Sequence, residues 1–177
     1  ARLGARVILI TGPVHVDAPR GLHCIRVETA DQMLEAVLRD LSGVDLFIGA
    51  AAVCDVRPTT VSEEKLKKCK DDLSSIALTE NPDIILQVST HPNRPATVIG
   101  FAAETSDLDA RAREKLDRKA LDWIIANDVS QGQVFAKDHT ACRLIGHSAE
   151  DIHFTGTKEV VARELFQQLL PILIERT

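Results

Sequence analysis

Short apolar runs alternate with amphipathic stretches along most of this chain, and the spacing of the apolar positions decides what each becomes. Arg6-Val-Ile-Leu-Ile-Thr11 is a β-branched apolar run stopped by Gly12 and Pro13, and Cys24-Ile-Arg-Val-Glu28 is a second strand of the same kind. Thr29-Ala-Asp-Gln32 has the form of a capping box, with the threonine hydroxyl able to accept from the backbone N–H of Gln32. It opens a helix that carries Met33, Val37 and Leu41 on one face and ends near Ser42 and Gly43. Asp45 to Val53 is apolar on both faces, as the central strands of a parallel sheet are.

From Asp55 to about Ser74 the chain is polar, carries Pro58 and a lysine cluster, and has no clean period, which predicts a long mobile loop. Ser75 to Thr79 is a short strand, and Asn81 followed by Pro82 supplies an N-cap and a first helical proline for a helix to about Thr90. Thr97 to Ala103 is again a buried strand. Ser106-Asp-Leu-Asp109 caps a helix to about Ala120, and Trp123 to Asn127 is a further strand. Arg143 to Ile145 and Ile152 to Phe154 pair as a hairpin around a turn from Gly146 to Glu150. The closing helix runs from about Lys158 to Glu175, with Val161, Leu165, Leu169 and Leu173 at four-residue spacing and Pro171 expected to kink it. Strands alternating with helices predict an α/β fold: a Rossmann-like, doubly wound, mostly parallel sheet with helices on both faces and a C-terminal β-hairpin.

At 177 residues and 45% hydrophobic content, the chain suits one well-buried domain over residues 1–177. A formal charge of −5 with both signs interspersed gives no global basic field, so neither nucleic acid nor an anionic membrane is an expected partner, and any anion site must be local. The four cysteines form no CxxC pair, no apolar run approaches the roughly 20 residues of a membrane span, and no signal-peptide pattern opens the chain, so a reducing cytoplasm is expected.

Neither GxGxxG nor GxxxxGK[ST] occurs, so a nucleotide would have to be held by other means. At about 100° per residue, Leu108, Ala112, Lys115 and Lys119 fall in one stripe of the helix after Asp107, with Leu116 beside it. Two lysines on an apolar face favour an anionic partner, such as a polyphosphate, near both amines; the alternative is that both snorkel from the core edge into water. Gly49-Ala-Ala-Ala52 at a strand end leaves room for a flat ligand against backbone, or else for tight helix packing on the sheet, with Asp55 just beyond. The helix beginning at Pro82 offers free N–H groups at its positive end. Lys65, Lys67, Lys68 and Lys70 could close over phosphates as a lid or form a solvated surface. Cys54 has no histidine near it in sequence, and the six histidines show no tight ligand spacing, so no nucleophile or metal arrangement competes.

Taken in order, Gly49-Ala-Ala-Ala-Val-Cys-Asp55-Val-Arg57, Glu64-Lys65-Leu-Lys67-Lys68, Asn81-Pro-Asp-Ile-Ile85, Gly100-Phe-Ala-Ala-Glu-Thr105, Lys115 with Lys119, and Ala126-Asn-Asp-Val129 resemble the signature of bacterial phosphopantothenoylcysteine synthetases. The resemblance runs from the strand at Arg6 through the last helix. It implies CTP as the nucleotide, with Gly49, Ala50, Ala51, Asp55, Pro82, Asp83, Ile84, Ile85 and Phe101 around the cytidine and Lys65, Lys115 and Lys119 facing the phosphates. Lys65 is the implied catalytic residue, and Mg²⁺ would accompany the triphosphate. The implied reaction has two steps. The carboxylate of 4′-phosphopantothenate attacks the α-phosphorus, giving an acyl-cytidylate and pyrophosphate, and the amine of cysteine then attacks the acyl carbon and releases CMP.

Family members begin with a further strand, a glycine-rich loop and a segment bearing an asparagine and an arginine, whereas Ala1-Arg-Leu-Gly4 resembles only the end of the helix that follows them. The resemblance therefore implies an N-terminally incomplete domain without the flavin-dependent decarboxylase often fused upstream. CTP binding is expected to persist, and full turnover to need the missing segment. A homodimer is the oligomer the family implies. Two rival readings stay open: a non-catalytic fragment that binds CTP or a partner, and an NAD(P)-dependent Rossmann oxidoreductase, the latter disfavoured by the absent glycine fingerprint and by the lack of any tyrosine.

Overall fold

The computed structural model describes the chain except residues 2, 63, 65–74, 105–107, 129–138, 149 and 176–177. The described residues form two compact units, Ala1–Val37 with Ala51–Ile84, and Leu38–Ala50 with Ile85–Thr177.

In the first unit the two apolar runs become β1 (Ile8–Thr11) and β2 (His23–Arg26), paired in parallel from Ile8↔His23 to Thr11↔Arg26. The capping box forms in both directions. The Gln32 backbone N–H donates to Thr29 Oγ1 at 3.2 Å, and Gln32 Oε1 accepts from the N–H groups of Thr29 at 3.1 Å and Glu28 at 2.8 Å. Two of the orphan N–H groups at the helix start, and the one just ahead of it, are thereby satisfied, and α1 (Ala30–Arg39) follows with Ala36 and Val37 buried.

Part of the segment expected to be loop is ordered as strand. β4 (Val56–Pro58) pairs antiparallel with β5 (Leu78–Glu80), and the Thr59 N–H extends the ladder to the Ala77 carbonyl at 2.9 Å. Three residues ending in proline give too short an alternation to be read as a strand, yet an exposed two-stranded ladder tolerates proline at its end. Residues 63 and 65–74 of the expected loop, among them Lys65, Lys67, Lys68, Cys69 and Lys70, lie outside the described residues.

The second unit is built on a five-stranded sheet in the order β3 (Leu46–Gly49), β6 (Thr97–Glu104), β7 (Trp123–Asp128), β8 (His139–Gly146) and β9 (Ile152–Thr157). The first three strands are parallel to one another, and β8 pairs antiparallel with β7 on one side and β9 on the other. The predicted hairpin is therefore not an appendage, because β8 pairs with β7 through Ile125↔Leu144 and continues the sheet.

Alternation sorts side chains to two faces. On one, Ile99, Ile125, Cys142, Leu144 and Phe154 pack with Val161, Leu165 and Leu169 of α4 (Lys158–Glu175). Leu173 joins at the margin, partly buried. The chain stays helical through Pro171, whose missing N–H leaves the Gln167 carbonyl without its intrahelical donor. On this face the Trp123 ring lies over Gly146, where a Cβ would come within 2.5 Å of the indole. On the opposite face lie α2 (Ile84–Ser89) and α3 (Leu108–Arg118), the latter burying Ala112 and Leu116. This is a Rossmann-like α/β arrangement with helices on both faces.

Helix α3 ends in a Schellman motif. The Leu121 N–H donates to the Leu116 carbonyl at 3.0 Å and the Ala120 N–H to the Asp117 carbonyl at 3.1 Å, with Ala120 at φ +48°. That residue is usually glycine, because a side chain in the left-handed region costs about 1–2 kcal/mol. Ala120→Gly is therefore expected to stabilise the fold by about 0.5–1 kcal/mol, the relief of strain less the extra freedom glycine gives the unfolded chain. A higher urea midpoint at unchanged slope checks it.

Candidate functional site

Two small residues stand side by side in the parallel part of the sheet, Gly49 of β3 against Gly100 of β6. Their missing Cβ atoms are replaced by neighbours. A Cβ at Gly49 would lie 2.8 Å from Ile85 Cδ1, and one at Gly100 would lie 2.7 Å from Leu121 Cδ1 and 3.2 Å from Ile85 Cδ1. Of the two readings of Gly49-Ala-Ala-Ala52, close helix packing thus accounts for the glycine, and it explains why Gly100 interrupts an apolar strand. Ala50, Ala51 and Ala52 are exposed.

Immediately after Gly100, Phe101 leaves the core with 38% of its surface exposed, and its carbonyl accepts from Lys115 Nζ at 2.7 Å. The stripe read from spacing exists on α3: Ala112 and Leu116 are buried, and Lys115 and Lys119 flank them half-buried. The amine of Lys115 is turned onto the strand rather than simply extended into water. At the foot of the same helix Ser89 Oγ donates to the Lys119 carbonyl at 2.6 Å, tying α2 to the end of α3. The structure thus brings Gly49, Ile85, Phe101 and Lys115 together near the carboxyl end of the parallel strands.

In the first unit, Asp55 is exposed, and its carbonyl accepts from the Asn81 N–H at 2.8 Å. The Asn81 side chain is not the helix cap that the sequence predicts. Its Nδ2 donates to the Cys54 carbonyl at 2.8 Å and its Oδ1 accepts from Arg57 at 2.8 Å, so helix α2 starts only at Ile84. Pro82 and Asp83 are half-buried ahead of that start and Ile84 is buried. Arg57 also donates to the Glu80 carbonyl at 3.2 Å and pairs with Asp31 at 3.1 Å. Arg57 and Asn81 escaped the sequence reading as site residues because their partners lie 23 or more positions away in the chain. Lys65 lies outside the described residues, as does the expected cap at Ser106.

Ion pairs tie α3 to β8 and to the connection ahead of β9. Arg113 meets Asp151 at 2.7 Å, and Arg143 pairs with Asp109. The hydrogen bond from Arg143, supported by the fields of Arg143 and Arg113, holds the Asp109 carboxyl below its ordinary value of 3.8 despite an opposing effect of burial. Burial pushes the Cys142 thiol up, keeping it a protonated core group. Among the described residues no cluster of three or more His, Cys, Asp or Glu could hold a metal ion, and no helix is long and apolar enough to cross a membrane.

The class that fold and site define is a Rossmann-like α/β protein with its candidate binding groups at the ends of parallel strands. The chain belongs to the family of the DNA/pantothenate metabolism flavoprotein C-terminal domain, which it matches over residues 1–172. It is 42% identical over 175 residues to the coenzyme A biosynthesis bifunctional protein CoaBC of Vibrio vulnificus, covering 97% of this chain and 43% of that protein. With the CoaBC protein of Haemophilus influenzae it shares 44% identity over 173 residues, 96% of this chain and 42% of the relative. The chain thus spans less than half the length of these curated relatives. Among solved structures, the C-terminal domain of a CoaBC protein superposes with a TM-score of 0.79 at 32% identity, covering 98% of this chain and 78% of that one. The DNA/pantothenate metabolism flavoprotein from Streptococcus pneumoniae, at 20% identity and a TM-score of 0.77 over 97% of this chain and 83% of that one, shares the fold.

The depressed Asp109 sets a pH dependence with a definite sign. Its stabilising contribution is present above the ordinary aspartate range and is lost as pH falls through the lowered folded value. Asp109→Asn is therefore expected to be less stable than the parent at neutral pH, with the two converging as pH falls through the lowered value of the folded protein. Urea unfolding of both proteins across pH 2–7 measures the convergence.

Proposed function

We propose that this chain is the nucleotide-binding body of a phosphopantothenate–cysteine ligase of coenzyme A biosynthesis, using CTP. Lys115 carries the reading: its amine sits on the Phe101 carbonyl near the carboxyl end of a central parallel strand, where ligands of such sheets gather. Membership of the family and the CoaBC names of its relatives support it.

In this reading Lys115 and Lys119 neutralise the triphosphate, with Lys65 as the catalytic lysine and Mg²⁺ entering as part of the nucleotide substrate. Charge neutralisation of the leaving pyrophosphate lowers the barrier when a carboxylate oxygen of 4′-phosphopantothenate bonds to the α-phosphorus. Gly49, Ala50, Ala51, Asp55, Pro82, Asp83, Ile84, Ile85 and Phe101 surround the cytidine. In the second step the cysteine amine bonds to the acyl carbon, CMP leaves, and the amine gives up its proton. A homodimer in the cytoplasm is part of the same proposal.

Isothermal titration with CTP, ATP and NADH in the presence of Mg²⁺ tests it. Heat selective for CTP is expected, and Lys115→Ala combined with Lys119→Ala is expected to abolish it. Heat with NADH in place of CTP would overturn the reading in favour of a nicotinamide-binding protein.

A further inference from the structure

The first unit contains a chain of polar contacts that neither the fold alone nor the proposed substrate contacts account for. It starts at Asp31 in the first turn of α1, passes through the Arg57 guanidinium at 3.1 Å to Asn81 Oδ1 at 2.8 Å, and ends where the other half of the same amide, Nδ2, holds the Cys54 carbonyl at 2.8 Å. The Asn81 backbone N–H holds the next carbonyl, that of Asp55, at 2.8 Å. One residue therefore grips two successive peptide units of the segment that carries Asp55, and it is itself the residue before Pro82 and Asp83. A neighbouring proline already confines Asn81 to extended backbone. The guanidinium, with a carboxylate on one side and the Glu80 carbonyl on the other, fixes which way the amide faces: an oxygen must point at Arg57, so the NH₂ must point at Cys54.

Resting on the CTP reading above, we infer that Asn81, oriented by Arg57, is a positioning residue that holds Asp55 in fixed register with Pro82 and Asp83, so that the two segments meet the cytidine together. Asn81 touches no substrate in this role. It sets the geometry through backbone carbonyls, and its hold on the Cys54 carbonyl is one that a carboxylate in its place cannot keep, having no proton to donate.

The test is titration of the full chain with Mg²⁺ and CTP, reading dissociation constant and stoichiometry separately. A residue needed only for folding lowers the fraction of competent protein and leaves the affinity of that fraction alone. A positioning residue weakens affinity at full stoichiometry. Asn81→Ala and Asn81→Asp are each expected to weaken CTP about tenfold at unchanged stoichiometry, the loss of one charge-oriented hydrogen bond, and Arg57→Lys about threefold. Because Arg57 acts through Asn81, adding Arg57→Lys to Asn81→Ala should weaken binding no further. Where Asn81→Ala fails to fold, Asn81→Asp and Arg57→Lys carry the same reading. If the parent binds CTP and the variants bind equally well, or lose only stoichiometry, the positioning role is overturned and the nucleotide reading stands. If the parent binds no CTP, both are overturned.

Discussion

The second unit depends on a shared absence of side chains. Gly49 and Gly100 are paired across two parallel strands, and the space their Cβ atoms would fill holds Ile85 from one helix and Leu121 from the turn after another. Interiors are packed nearly as densely as organic crystals, so space released at one position has to be taken by something else. Here it is taken by the first turn of α2 and by the chain leaving α3. These segments bracket the positions where the strands end, and Phe101 and Lys115 acquire their places from them. Small residues thus act as the seat for two helices before they act in any binding event.

Helix α3 is held at its end as well as along its side. The Schellman turn places Leu121 back in the core, the Ser89 hydroxyl takes up the Lys119 carbonyl, and Arg94 reaches Asp122 at 2.6 Å while the same carboxylate oxygen accepts from the Val98 N–H at 2.8 Å. All of these but the Arg94–Asp122 ion pair satisfy a backbone group that a helix end or a strand start would otherwise leave open, and that pair holds the Asp122 carboxylate in place. The result fixes the rotation of the helix about its own axis. That rotation decides which way the stripe bearing Lys115 and Lys119 faces, so residues remote from the amines govern where the amines point.

How much of this was legible in the sequence follows from the range of each interaction. Helix α4 was readable to its last residue because Val161, Leu165, Leu169 and Leu173 repeat every four positions, and the Thr29–Gln32 box was readable because both partners lie within one turn. The lysine stripe on α3 was legible for the same reason. What failed was of another kind. Asn81 followed by proline looks locally like a helix cap, but its amide is claimed by Cys54 and Arg57, partners that local spacing does not reveal. β4 was missed because only three residues of it exist, and the continuity of β7 with β8 was missed because pairing between strands is not written in either strand alone. In the candidate site, residue types were legible one by one, whereas the network that orients them was not.

The packing of Trp123 over Gly146 has a practical consequence. It is the sole tryptophan of a chain with no tyrosine, and it lies where β7 and β8 are paired in the second unit. Ultraviolet emission excited at the indole therefore comes from that one location. A change of its wavelength reports the opening of the five-stranded sheet, so pairing fluorescence with a probe of total secondary structure sets the unfolding of that sheet beside the unfolding of the chain as a whole.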